Sequence, residues 1–284
     1  MPDFGFVGPS YVAQSRTQDD QETINWYCEI DPNKAKSSPE GQSGRGVIAL
    51  YPAPGLPTRA TLPKAPVRGV WAILGSTALL AVAGDTLYRI DTAWTATAVG
   101  VLLTSAGQVS IADNGISAYL CDGANRYYYT WGTGTFALIA DGAFTAGGIV
   151  DIVDGFLVYT NPGTNQFGAT SVNAVTSLAL SFSTKFTAPD AVQAVKVVNR
   201  DLYVVGQQTT EVWTDNGGFP FPFAIIAGTS MQHGTNAPES VARLGEGFAM
   251  LAQDTRGSST VIAVVGYKPT RISTFAVENA INGY

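Results

Sequence analysis

Six aspartates are the first residues in this sequence to weigh for chemistry: Asp113, Asp122, Asp151, Asp154, Asp201 and Asp215. Two acids flanking a glycosidic bond can hydrolyse it, one as general acid and the other as base or nucleophile. Most of these six lie in turn segments such as Asp113-Asn114-Gly115 and Asp154-Gly155. There a short carboxylate caps local backbone N–H groups, so the expectation is a turn role for most of them and no catalytic pair. A sialidase-like site would further need an arginine cluster on inner strands and Ser-x-Asp-x-Gly-x-Thr-Trp turns, and the sequence carries neither.

The other reactive types are few. His233 is the one histidine, set in the Gly-flanked stretch from Gly228 to Gly234; it could act as a base but reads as a loop residue. A single histidine and no C-x-x-C exclude a multi-histidine or zinc-finger metal site. The stretch Gly41-Gln42-Ser43-Gly44-Arg45-Gly46 has the glycines of a phosphate loop. It lacks the Lys-Ser/Thr end and the following helix, and reads as a turn. Cys28 and Cys121 form no disulfide framework; Cys121, on an apolar strand, is expected to be a buried free thiol, and Cys28 likewise. No catalytic, cofactor-binding or metal-binding residue is assigned, and the reading is of a protein without enzymatic activity or cofactor.

Two aromatic clusters, Arg126-Tyr127-Tyr128-Tyr129 and Phe219-Pro220-Phe221-Pro222-Phe223, have the composition of binding patches. On outer strands the same residues pad one sheet against the next, and packing is the preferred reading.

The elements that would position these residues repeat. Apolar runs recur at Leu79–Val82, Ala118–Cys121, Phe156–Tyr159, Leu202–Val205 and Phe248–Leu251; from residue 80 to 119, 157, 203 and 249 the steps are 39, 38, 46 and 46. A period near 40–45 residues marks a four-stranded propeller blade. Each unit opens with a short strand (Val70–Leu74, Val109–Ala112, Ile149–Val153, Val192–Val198, Ser240–Leu244). A turn such as Asp154-Gly155 or Asn199-Arg200-Asp201 follows, rich in residues that tolerate positive φ and so suit a two-residue hairpin. The apolar run comes next, then a third strand (Thr86–Asp91, Arg126–Trp131, Gln166–Val172, Thr210–Asp215, Val261–Gly266). A fourth closes each unit (Trp94–Val101, Thr135–Ala140, Leu178–Ser183, Phe223–Gly228, Arg271–Ala276). The expected fold is all-β, a β-propeller of four-stranded blades, five recognisable and a sixth incomplete or completed by an N-terminal hairpin.

That hairpin is expected from Thr23–Ile30 and Gly46–Tyr51, joined by a polar loop over 31–45 and preceded by an arm over 1–20. Five prolines between Pro52 and Pro66 predict an extended linker, since proline cannot donate to a ladder. The expected division is 1–66 for arm, hairpin and linker and 67–284 for the blades.

Only 13% of the 284 residues are charged and the net charge is −6, which lacks the basic footprint of a nucleic-acid binder. No 18-residue apolar span is present, and Met1-Pro2-Asp3 does not begin a signal peptide. Synthesis in the cytoplasm without Sec export or membrane insertion is the expectation.

Several stretches taken in order resemble one family. They are Val109–Gly115, Val150–Val158, Asn199–Gly206 with Thr210–Trp213, Phe219–Phe223, Ser240–Ala242 and Pro269–Glu278, with Thr23–Tyr27 and Glu29 before them. Together they resemble the packaged-DNA stabilisation protein, or tail hub and head-completion factor, of short-tailed bacteriophages. The resemblance implies a propeller that assembles as a homo-hexamer in the virion, between portal and adaptor above and needle or tailspikes below, and seals the exit channel over packaged DNA. Six copies at −6 would carry −36, a field that lets DNA slide rather than stick. The reading from another class is a carbohydrate-processing or carbohydrate-binding tail propeller, which glycan affinity or product release would reveal.

Overall fold

Tight turns set the architecture. In the computed structural model, which describes residues 25–30, 48–253 and 259–283, Asp154 and Gly155 take φ of 49° and 85°, and Asn199 and Arg200 take 51° and 69°. Two successive left-handed residues give the primed turn whose twist matches antiparallel strands. Each such turn folds one strand directly back on its predecessor.

The outcome is five antiparallel meanders of four strands each. The first sheet holds β3 (Val67–Ala72), β4 (Leu79–Ala83), β5 (Thr86–Ile90) and β6 (Ala96–Val101). The second holds β7 (Ser110–Asp113), β8 (Ser117–Cys121), β9 (Arg126–Thr130) and β10 (Thr135–Ile139). In the third are β11 (Val150–Val153), β12 (Phe156–Thr160), β13 (Gln166–Ala169) and β14 (Phe182–Thr184). The fourth comprises β15 (Val192–Val198), β16 (Asp201–Gly206), β17 (Thr210–Asp215) and β18 (Phe223–Ile225), and the fifth β19 (Ala242–Leu244), β20 (Gly247–Gln253), β21 (Ser259–Val265) and β22 (Lys268–Arg271). Ahead of them β1 (Trp26–Ile30) pairs antiparallel with β2 (Ile48–Pro52) in a sheet of its own. The arm over 1–20, the loop over 31–45 and the Gly41–Gly46 stretch lie outside the described residues.

Two compact units are distinguished, Met1–Thr58 with Thr274–Tyr284, and Arg59–Ser273. The five sheets belong to the second. Their first strands stand side by side, β3 with β7, β7 with β11 and β11 with β15, the arrangement of blades about an axis. The approach is close: a Cβ on Gly69 would stand 2.4 Å from the Val109 carbonyl oxygen, so only glycine lets β3 meet the segment leading into β7.

Second strands are mostly apolar, and in the second, third and fourth sheets they are packed on both faces. In β8, Ala118 and Leu120 join Leu80, Val82 and Leu87 of the first sheet, while Tyr119 and Cys121 face Leu157 and Tyr159 of the third. Similar apolar cores lie between the third and fourth sheets and between the fourth and fifth. Each fully buried leucine contributes roughly 1.5–3 kcal/mol over its exposed state.

Three strand expectations are corrected. The last strand of the fifth sheet is Lys268–Arg271 rather than Arg271–Ala276, because Gly266 at φ 60° closes a tight hairpin in which Val265 already pairs with Lys268. Phe275–Ile281 is instead a helix, α1, with the Thr274 side chain accepting from the Val277 N–H as N-cap. In the third sheet the closing strand is Phe182–Thr184, not Leu178–Ser183: the Ser181 N–H turns back onto the Leu178 carbonyl. The fifth sheet opens at Ala242 after a 3-10 turn over Pro238–Ser240.

Buried cations tie the connections between sheets. The Arg68 guanidinium donates to the carbonyls of Gly84, Thr104, Ala106 and Gly107 and to the Thr104 hydroxyl, so it ties down the 104–107 segment joining the first two sheets. Arg126 does the same for the 141–145 segment between the second and third. Lys185, between the third and fourth, is paired with Asp190 and the Thr209 hydroxyl.

Candidate functional site

The six aspartates are distributed over the sheets, and no two share a hydrogen-bond partner among the described residues. Asp113 accepts from Trp71 Nε1 at 2.5 Å and from the Leu74 and Gly115 N–H groups. Asp122 takes four donors, the Thr104 and Tyr127 hydroxyls and the Ala124 and Asn125 N–H groups, at 2.6–3.0 Å. Burial works to raise the Asp122 pKa, but those bonds outweigh it and hold the group below the usual carboxylate value. Asp151 binds Lys196 Nζ at 2.7 Å and the Val197 N–H. Asp154 pairs with Arg200, Asp201 accepts from the Tyr267 hydroxyl, and Asp215 caps the Gly217 N–H. Only Asp113, Asp122 and Asp215 bond the backbone of their own turns; Asp113, Asp151, Asp154 and Asp201 all reach a neighbouring sheet. They are stitches between blades. An alternating pattern of sheets in register, rather than any local motif, creates those contacts, so the sequence gives no signal for them.

His233 sits half-buried in the connection from the fourth to the fifth sheet. Its carbonyl accepts from the Thr210 hydroxyl, and its Nδ1 has no hydrogen-bond partner. No acid or nucleophile is bonded to it among the described residues. Cys121 is fully buried and unpaired; burial drives its thiol far above the ordinary range, which keeps it protonated and unreactive. The burial of Cys28 lies outside the described residues. No cluster of three or more metal-ligating side chains occurs among the described residues.

Two ionisable groups to which the sequence reading gave no role of their own are fully enclosed. Arg126 is 0% exposed, bonded to the Tyr119 hydroxyl and three carbonyls, and lies 4.4 Å above the Tyr159 ring. Glu211, also 0% exposed, accepts the Phe186 and Thr187 N–H groups and Trp213 Nε1. Both anchor backbone. The tyrosine cluster is packing: Tyr127 and Tyr129 belong to the core between the first two sheets, and burial pushes the Tyr127 pKa up to about 12.

The proline-phenylalanine cluster divides. Phe223 and Phe221 pack on each other and on the third sheet, whereas Phe219 is 87% exposed. Phe219 lines a shallow groove of about 270 Å³ between the edges of the third and fourth sheets, with Phe156, Val172, Leu178, Pro220 and Pro222. Val172, Leu178 and nearby Leu180 are exposed apolar residues. An apolar, aromatic-lipped surface of this kind suits protein contact.

A second cavity of about 260 Å³ lies where the first strands of the second to fifth sheets begin. Gln108 precedes β7, Ile149 precedes β11, Gln193 is in β15 and Glu239 precedes β19, and all four line it.

No curated protein sequence matches the chain significantly. Among solved structures, PorZ, a surface component of the type-IX secretion system of Porphyromonas gingivalis, superposes over 82% of this chain with a TM-score of 0.51 at 12% identity. The chain spans 30% of that protein's length, and at such identity the likeness concerns the fold alone. The designed protein Ika8 aligns over 78% of this chain and 66% of its own with a TM-score of 0.48 at 11% identity, and Hsv2 of Kluyveromyces lactis over 83% and 67% with 0.45 at 12%. The five four-stranded meanders agree with the family whose model, described as bacteriophage P22 Gp10, β-propeller, matches residues 25–284: the chain belongs to that phage stabilisation family.

Proposed function

We propose that the protein is a non-enzymatic tail hub, a structural part of the phage virion that helps retain packaged DNA below the portal and adaptor and links to needle or tailspikes, in a homo-hexameric ring. The observation that carries this reading is the family match over residues 25–284. Two features of the chain support it. The six aspartates weighed for catalysis are bonded to backbone and to neighbouring sheets, which is scaffold chemistry. Large apolar residues are nevertheless left facing outward around the Phe219 groove, where a partner protein would bury them.

The test is composition and position in the particle. Virions assembled with this chain carrying a Phe219→Ser substitution should contain less of it, or leak DNA, while the isolated variant folds normally. Normal incorporation and normal DNA retention would reject the groove as the contact. A particle complete without the chain would reject the structural role.

A further inference from the structure

The cavity at the start of the first strands has a lining whose chemistry specifies an occupant. Its charged side chains are Asp122 and Glu239; no lysine, arginine or histidine lines it. Asp122 is saturated by four donors, so it contributes negative potential and no contact. Arg68 lies behind the 104–107 segment with its bonds committed to that segment and to Gly84, and partly offsets Asp122. Glu239 has no such counter-ion among the described residues. It is exposed on the 3-10 turn over Pro238–Ser240, and together with Gln108 and Gln193 it offers carboxylate and amide oxygens that make no hydrogen bond to the described residues.

The rest of the wall is aliphatic. Ile149, Pro162, Val192 and Pro238 supply apolar surface, and four glycines (107, 123, 148 and 163) leave room. No aromatic ring lines the cavity, so the stacking platform that a sugar ring commonly uses is missing. A ligand matching this arrangement has an apolar stem and a compact cationic head with several N–H donors. That describes an arginine or lysine side chain, whose methylenes lie on apolar surface while the head seeks oxygen. The cavity, of about 260 Å³, is large enough to admit such a side chain.

We propose that this cavity is a receptor for a single arginine or lysine side chain presented by a neighbouring virion protein. That the partner is a virion protein rests on the function proposed above; the cation preference rests on the cavity alone. Insertion of one side chain into a cup at the ends of four blades fixes the rotational register of the partner, which an apolar groove alone does poorly.

The experiment uses the full-length protein, isotope-labelled, with amide NMR shifts followed during titration with Nα-acetyl-arginine methylamide. Saturable shifts are expected at the amides of Gly107, Gly123, Gly148 and Gly163, with binding weakened about five- to tenfold in Glu239→Gln, as loss of a charge-assisted bond implies, and weakened further by salt. Because Glu239 is exposed, that variant should keep the wild-type spectrum elsewhere. The proposal is overturned if those glycines do not move. It is equally overturned if Nα-acetyl-glutamine methylamide or N-acetylglucosamine shifts them with equal affinity, or if Glu239→Gln leaves binding unchanged. A positive titration combined with absence of the chain from purified particles would sink the virion role and leave the cation site standing.

Discussion

Replacing Arg126 by alanine tests the idea that buried cations hold the blade connections. The guanidinium satisfies the Asp141, Phe144 and Thr145 carbonyls and the Tyr119 hydroxyl. Removing it leaves four acceptors without a donor, each costing about 1 kcal/mol at the low end when buried. Loss of the contact above Tyr159 adds up to about 2 kcal/mol, and water entering the vacated space returns part of the total. The expected destabilisation is therefore about 4 kcal/mol, in the range seen when a buried network is broken. With a urea m-value of about 3 kcal/mol/M, the midpoint followed by tryptophan fluorescence should fall by about 1.3 M. Arg200→Ala is the control. Its side chain is 80% exposed in the pair with Asp154, so the pair contributes less than about 1 kcal/mol and the midpoint should move little. If the two variants shifted the midpoint equally, the claim that Arg126 organises the 141–145 connection would be wrong.

Other expectations follow from the same contacts. Glu211→Gln puts an amide donor among three N–H donors and should cost about 2–3 kcal/mol, with a changed emission from Trp213 read in the same unfolding curves. Gly69→Ala would drive a Cβ against the Val109 carbonyl and should destabilise by about 1–3 kcal/mol or more by thermal melt. Hydrogen bonds hold Asp122 below its ordinary pKa, and the Lys185 ammonium with backbone N–H groups does so for Asp190, both against the opposing effect of burial. A depressed folded pKa means stability that is present above the ordinary carboxylate value and lost as pH falls through the folded one. The acid transition should accordingly lie below pH 4, by circular dichroism, and move upward in Asp190→Asn, where that acidic contribution is already missing. The isolated protein, at net charge −6, should not retard duplex DNA on a gel at low salt, where phosphate contacts are strongest.

Periodicity carried most of the fold. The turns around Asp154-Gly155 and Asn199-Arg200 announced their hairpins because few residues accept positive φ, and the apolar second strands announced burial on both faces. Boundaries failed where local bonding competed with strand pattern. Leu178–Leu180 has strand composition, yet the turn closed by Ser181 leaves it outside the sheet, and Thr274 starts a helix where β-branched and aromatic residues suggested a strand. The candidate surfaces were half legible. The repeated Phe-Pro pattern of 219–223 suggested a patch, but only the structure separates Phe219, which is exposed, from Phe221 and Phe223, which pack. The cavity bounded by Gln108, Gln193 and Glu239 was not legible at all. Those three residues come from two connections and a strand, up to 131 positions apart, and each alone is an ordinary polar residue. The role of Arg126 was hidden for a related reason: most of its partners are carbonyls, which every residue possesses.

The most direct test of the structural role is electron cryomicroscopy of the particle that carries this chain. Density for the five four-stranded blades should be found in the tail, as six copies in a ring on the channel axis, with the Phe219 groove covered by protein. Particles that retain their DNA and show no blade density in the tail would contradict the account.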